Sequence, residues 1–189
     1  AAAALRCEAL YRLDRSAAEV ARAASDFSER FPASPQRART EFFAGVALAT
    51  AGDNSGAAQR FDWIVQHAPG DDLAPRAGLL LAQSLESLGQ AARAEERYRR
   101  AAVSDDPTLA PDAFLGLARL DLAAGRADDA RLRAQSILDD FPESTAAQSA
   151  ALLVARIACD SDLPDEGLAA LTGRSFAEDF PWARVVDRF

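Results

Sequence analysis

Residues 45–69 read GVALATAGDNSGAAQRFDWIVQHAP. Two alanine-rich apolar stretches meet at Gly52, and the second stops at Ala68-Pro69. Alanine is the best helix former. Glycine just past a helix end takes the left-handed conformation at low cost. Proline lacks an N–H and restricts the residue before it. The stretch therefore predicts helix, glycine turn, helix, proline stop. The same marks return on either side of it. Gly52, Gly89 and Gly125 fall 37 and 36 residues apart. Helical stretches precede each (RTEFFAGVALATA, PRAGLLLAQSLESL, APDAFLGLARLDLAA) and follow each (SGAAQRFDWIVQHAP, AARAEERYRRAAV, ADDARLRAQSILDDFP). FPASP at 31–35 and FPEST at 141–145 start 110 residues apart, close to three such steps, and a third Phe-Pro opens FPWAR at 180. Recurrence at a fixed step of this size is the mark of a repeat array.

Composition agrees. Of 189 residues, 49% are hydrophobic, enough to build a core, and no alternating β-branched run appears, so the chain reads as all-α. The net charge is −8, every basic residue is arginine, and no basic stripe is visible, which argues against a nucleic-acid partner. No apolar run is long enough for a membrane span. Cys7 and Cys159 suggest neither a disulfide framework nor a metal set. Lipid modification at Cys7 is disfavoured by the charged Arg6 before it. Ser34-Pro35 reads as an N-cap with proline in the first turn, and Asp105 and Asp106 play the same part before Pro107.

Four positions then carry a resemblance. One unit supplies Gly45, Ala57, Phe61 and Pro69; the next supplies Ala82, Ala94 and Tyr98; the next supplies Ala118, Ala130 and Pro142, with Ala134 in place of the aromatic. The first unit keeps Tyr11 and Pro32 but has Val20 and Ala24, and Gly167 and Gly173 weaken the second helix of the fifth. The chain thus resembles the tetratricopeptide repeat over nearly its whole length. The resemblance implies one domain, 1–189: a right-handed superhelical stack of about five antiparallel helix pairs. The units run approximately 1–34, 35–71, 72–107, 108–144 and 145–181. Residues 182–189 are a capping helix or the start of a further one. The step is longer than the usual period of about 34 residues. With the FPxS punctuation, it resembles bacterial envelope repeat proteins of the Tol–Pal cell-division coordinator and outer-membrane assembly lipoprotein type.

That family binds partners along its first helices. Its register places Arg39 and Phe42 in the groove, then Arg76, Leu79, Gln83 and Glu86, then Asp112, Leu115 and Arg119, then Leu152 and Arg156. Phe42, Leu79, Leu115 and Leu152 would form an apolar line, and Arg39, Arg76, Arg119 and Arg156 a cationic row able to grip a carboxylate. Equally, the apolar line could be core between repeats. The lysine and asparagine clamp of co-chaperone members is missing, since the chain has no lysine and its one asparagine, Asn54, falls in a turn.

Other residues point to no chemistry. His67 has no nucleophile beside it in the pattern, DSDLPDE at 160–166 lacks the glycine and terminal glutamate of a calcium loop, and Trp63 fits packing. The reading is a protein without catalytic residues, cofactor or metal. It would bind a protein or peptide partner, in the periplasm or envelope with the cytoplasm as alternative. The other reading is a structural segment of a larger complex that uses edges or its convex face.

Overall fold

A computed structural model describes residues 2–161 and 164–172. Among them lie ten α-helices and one 3-10 turn, and no strand. The helices are α1 (Ala2–Arg12), α2 (Ala17–Arg30), α3 (Arg37–Thr50), α4 (Asn54–His67), α5 (Ala74–Ser87), α6 (Ala91–Ala102), α7 (Ala110–Ala123), α8 (Ala127–Asp140), α9 (Thr145–Asp160) and α10 (Pro164–Leu171). The 3-10 turn is Pro107–Leu109. The chain divides into two compact units, Ala1–Leu109 with three helix pairs and Ala110–Phe189 with two.

The punctuation works as its chemistry requires. Gly52, Gly89 and Gly125 have φ of +84°, +71° and +77°, the left-handed region in which a Cβ is costly. Asp14 fills the same turn of the first pair at φ +52°, as Asp tolerates better than most residues. Phe31, Ala68 and Phe141, each before a proline, leave the helix with nearly the same dihedrals: φ −137°, −136° and −133°. Ser16 and Glu19 form a capping box on α2, and Asp53 and Ser144 cap α4 and α9. Two local expectations shift. Ser34 is not the N-cap of α3, which starts at Arg37; its hydroxyl accepts from Gln36 N in the turn before. Asn54 opens α4 rather than lying in the turn. Asp106 accepts from Thr108 N at 3.0 Å, so it caps the 3-10 turn.

Second helices lie between successive first helices: α2 between α1 and α3, α4 between α3 and α5, α8 between α7 and α9. In the first unit, α1 packs on α3 and α3 touches α5, whereas α2, α4 and α6 make no comparable contact with one another. In the second unit, α7 touches α9. First helices therefore form the inner side of each unit. The repeat-defining residues sit at the pair contacts. A Cβ on Gly45 would stand 2.6 Å from the Phe61 ring, so a small residue is needed there. Ala82 and Tyr98, their counterparts, are fully buried, as are Ala118 and Ala134 where the aromatic is lost. The expected cap at 182–189 and Gly173 lie outside the described residues.

Two substitutions separate the kinds of glycine. Gly45→Ala should lose about 1–3 kcal/mol by overpacking against Phe61. Gly52→Ala should lose about 1 kcal/mol through backbone strain alone, since nothing lies within 4 Å of the added methyl. Urea unfolding followed by circular dichroism reads both, and a Gly45→Ala variant as stable as wild type would contradict the close helix approach.

Candidate functional site

On the inner side of the first unit, aromatic and charged side chains meet. The rings of Tyr11 on α1 and Phe43 on α3 lie 5.4 Å apart. The Arg39 guanidinium stands 5.9 Å from the Phe43 ring. Beside them, between the start of α3 and the α4–α5 turn, is an open cleft of about 390 Å³. Its lining includes Arg39, Phe42, Phe43, Asp71, Asp72 and Leu73.

The residues expected in the groove divide between the units. Arg39, Phe42, Arg76, Leu79, Gln83 and Glu86 belong to the first, and Asp112, Leu115, Arg119, Leu152 and Arg156 to the second. The apolar line is mostly packing. Phe42, Leu79 and Leu115 are only 8%, 4% and 8% exposed, which corrects the expectation that they line an open groove. At this register a side chain points at neighbouring helices: Phe42 meets the Phe61 ring at 6.0 Å. Phe42 still borders the cleft. Leu152 is half-buried against a cluster containing Ala150 and Val154. Arg76 is exposed, Gln83, Asp112 and Arg119 are half-buried, and half-buried Glu86 accepts from the Tyr98 hydroxyl. Arg156 is exposed and lies 3.8 Å from Asp160.

A second pattern escaped the sequence reading. Among the described residues three carboxylates are buried, Glu8 at 6% exposure, Glu41 at 3% and Asp121 at 5%. Each is bracketed by two guanidiniums. Arg12 and Arg39 both reach Glu8 at 2.7 Å. Arg60 reaches Glu41 at 2.8 Å, and Arg37 stands 3.6 Å from it. Glu41 also accepts from the Ser28 hydroxyl at 2.7 Å, while Arg60 donates to Ser25. Arg126 and Arg133 donate to opposite oxygens of Asp121. The signal was present: a carboxylate on an apolar helix stripe with an arginine four or five residues away, as in Glu8/Arg12, Arg37/Glu41 and Asp121/Arg126. Arg39, expected to grip a partner, is instead committed to Glu8.

Burial works against the charge of Asp121, but the hydrogen bonds from Arg126 and Arg133 outweigh it and hold its carboxyl below the ordinary value. Burial, then the neighbouring Glu41 carboxylate, pushes the Cys7 thiol up to about 11. Cys7 lies beneath α2 and α3, its sulfur 3.5 Å from the Thr40 carbonyl oxygen. It is an unreactive packing residue. Trp63 is half-buried: Arg37 lies 4.0 Å over its ring, and His67 stacks on it at 5.0 Å. Among the described residues no three His, Cys, Asp or Glu side chains converge on a metal-sized point, and no helix is long and apolar enough to cross a membrane.

Residues 7–178 match the family model described as the protein kinase G tetratricopeptide repeat. Among solved structures, the chain is similar to the crystal structure of MamA, with a TM-score of 0.64 and 16% identity over 88% of this chain and 86% of that one. At that identity the likeness concerns the fold. No curated protein sequence matches the chain.

Two predictions follow from the bracketed carboxylates. Glu41→Ala should destabilise the chain by about 3 kcal/mol, because it strands Arg60 and Arg37. Arg156→Ala, at an exposed pair, should change stability by less than about 1 kcal/mol. Equal effects in thermal melts would contradict this ranking. For Asp121 the folded carboxyl binds protons less readily than the unfolded one. Its stabilisation is present above the ordinary value of 3.8 and is lost as pH falls through the lower folded value. Asp121→Asn should therefore be less stable than wild type at neutral pH, and the gap should narrow in acid; a gap unchanged by acid in pH-dependent urea melts contradicts the assignment.

Proposed function

Because the chain belongs to the protein kinase G tetratricopeptide repeat family, we propose that it is a non-catalytic scaffold holding a partner protein or peptide against the first helices of its repeats. One observation carries this reading. The inner side of the first unit presents an open cleft and, beside it, exposed Tyr11 against half-buried Phe43, next to charged groups. Aromatic anchors within a polar surround are the usual make-up of a protein contact. First helices packed side by side give such a surface breadth that one helix lacks.

Further setting is part of the proposal. The FPAS and FPES punctuation and the 37-residue step support a place in a bacterial envelope assembly, with the cytoplasm as alternative; cell fractionation distinguishes them. A second reading is favoured by the family's description, which names a protein kinase. In it the chain recruits substrate for catalysis performed outside these residues. Both readings expect no phosphotransfer or hydrolysis from the chain alone, and any turnover by it would overturn them.

The experiment is affinity capture from native lysate followed by hydrogen exchange of the captured complex. Protection concentrated on α1, α3 and α5 is the expected result. Protection confined to α2, α4 and α6 would overturn the inner-face reading in favour of a structural segment that uses its convex side.

A further inference from the structure

The cleft on the first unit has a definite charge character. Arg39 is the cation at its edge, but its Nε donates to Glu8 at 2.8 Å and a second nitrogen pairs with the same carboxylate at 2.7 Å. Its charge is met only in part from within the molecule, because Arg12 shares that carboxylate. On the opposite side, the α4–α5 turn carries Asp71 and Asp72. Asp71 uses one oxygen to accept from Leu73 N at 2.9 Å. Asp72 is exposed and has no hydrogen-bond or ion-pair partner among the described residues. Between the two sides lie Phe42, Phe43 and Leu73. The cleft thus joins an apolar, aromatic floor to a rim whose two carboxylates outnumber its one cation.

We propose that this cleft receives an arginine side chain from a basic, extended segment of the partner protein. The proposal rests on the scaffold reading above and names the chemistry of what is held. An arginine stem is apolar and packs along hydrophobic surface while its head stays polar. Its guanidinium is attracted to aromatic faces and forks onto carboxylates. Phe42, Phe43 and Leu73 suit the stem, and Asp71 and Asp72 the head. The space of about 390 Å³ holds one long side chain with its flanking backbone. The net charge of −8 draws a basic segment towards the surface and repels an acidic one. This reverses the sign expected from the arginine row.

The test titrates the isotope-labelled 189-residue chain with two capped glycine-serine peptides, one carrying a single arginine and the other a glutamate in its place. Amide shifts in the spectrum locate binding. The arginine peptide should move the amides of residues 36–43 and 71–73, and the glutamate peptide should leave them in place. An Asp71→Asn, Asp72→Asn double variant should weaken the arginine peptide by about fivefold and flatten its salt dependence. An asparagine oxygen can still accept from Leu73 N, so the turn is kept; an unchanged spectrum away from the cleft checks this. The proposal is overturned if the glutamate peptide moves the same amides, if the arginine peptide leaves them unmoved at millimolar concentration, or if the double variant binds like wild type. Any of these results alongside inner-face protection in the captured complex removes this inference and leaves the scaffold reading standing. Inner helices left unprotected in that complex remove the scaffold reading, whichever peptide binds.

Discussion

The fold depends on how closely the two helices of each pair approach. In the second pair the Phe61 ring lies where a side chain on Gly45 would be, and a Cβ there would meet it at 2.6 Å. A large ring over a residue with no side chain brings two backbones together and fills the space between them. The third pair repeats the arrangement with Ala82 and Tyr98, both without solvent exposure. The fourth sets Ala118 and Ala134 in those places, also fully buried, and closes with small residues on both sides. Once a pair is this close, the turn must be short. That is why Gly52, Gly89 and Gly125 take left-handed backbone while the prolines stand at the other end of the unit.

Close packing through alanine and glycine leaves another problem unsolved. Small side chains interdigitate weakly, so helices covered by them have little to stop one sliding past the next. The bracketed carboxylates supply that stop. Glu8 and Arg39 join α1 to α3, Glu41 and Arg60 join α3 to α4, and Asp121 and Arg133 join α7 to α8. In each bridge both carboxylate oxygens are met: by Arg12 and Arg39 at Glu8, by Arg126 and Arg133 at Asp121, and by Arg60 and the Ser28 hydroxyl at Glu41. Replacing such a group by a hydrophobic residue can be neutral for stability, but the geometry of the bridge holds in one register only. Ser25 and Ser28 on α2 extend the Glu41 bridge to a third helix.

The period, the pairing of helices and their ends could be read from sequence because each mark acts locally. A glycine with positive φ or a residue before proline constrains its own backbone whatever lies around it. The site was less legible because it depends on which way each face of a first helix turns. Phe42, Leu79 and Leu115 were placed by register in an open groove, yet they point at neighbouring helices and are buried. Phe43, one residue on from Phe42, is half-buried and meets the exposed Tyr11 ring, and nothing in residue type separates the two phenylalanines. Arg39 looked like one of a row of free cations, and only the fold brings it to Glu8, 31 positions away.

Using arginine alone as the basic residue has a consequence for recognition. A guanidinium satisfies a carboxylate with two parallel hydrogen bonds, which makes it the better internal partner than an ammonium. In this chain several arginines face inward or along their own helices: Arg12, Arg39, Arg60, Arg126 and Arg133 on buried acids, and Arg99 and Arg100 on Glu95 and Glu96. Each such pairing ties a guanidinium to an acid of the chain itself, although the Arg12, Arg99 and Arg100 side chains stay largely in solvent. Acidic residues exceed basic ones, 29 to 21, so pairing leaves carboxylates over, and helix-joining turns such as Asp71-Asp72 are where these can stay hydrated. The internal bridges tie down cations, and the cleft of the first unit sets aromatic rings beside two carboxylates that outnumber its one cation.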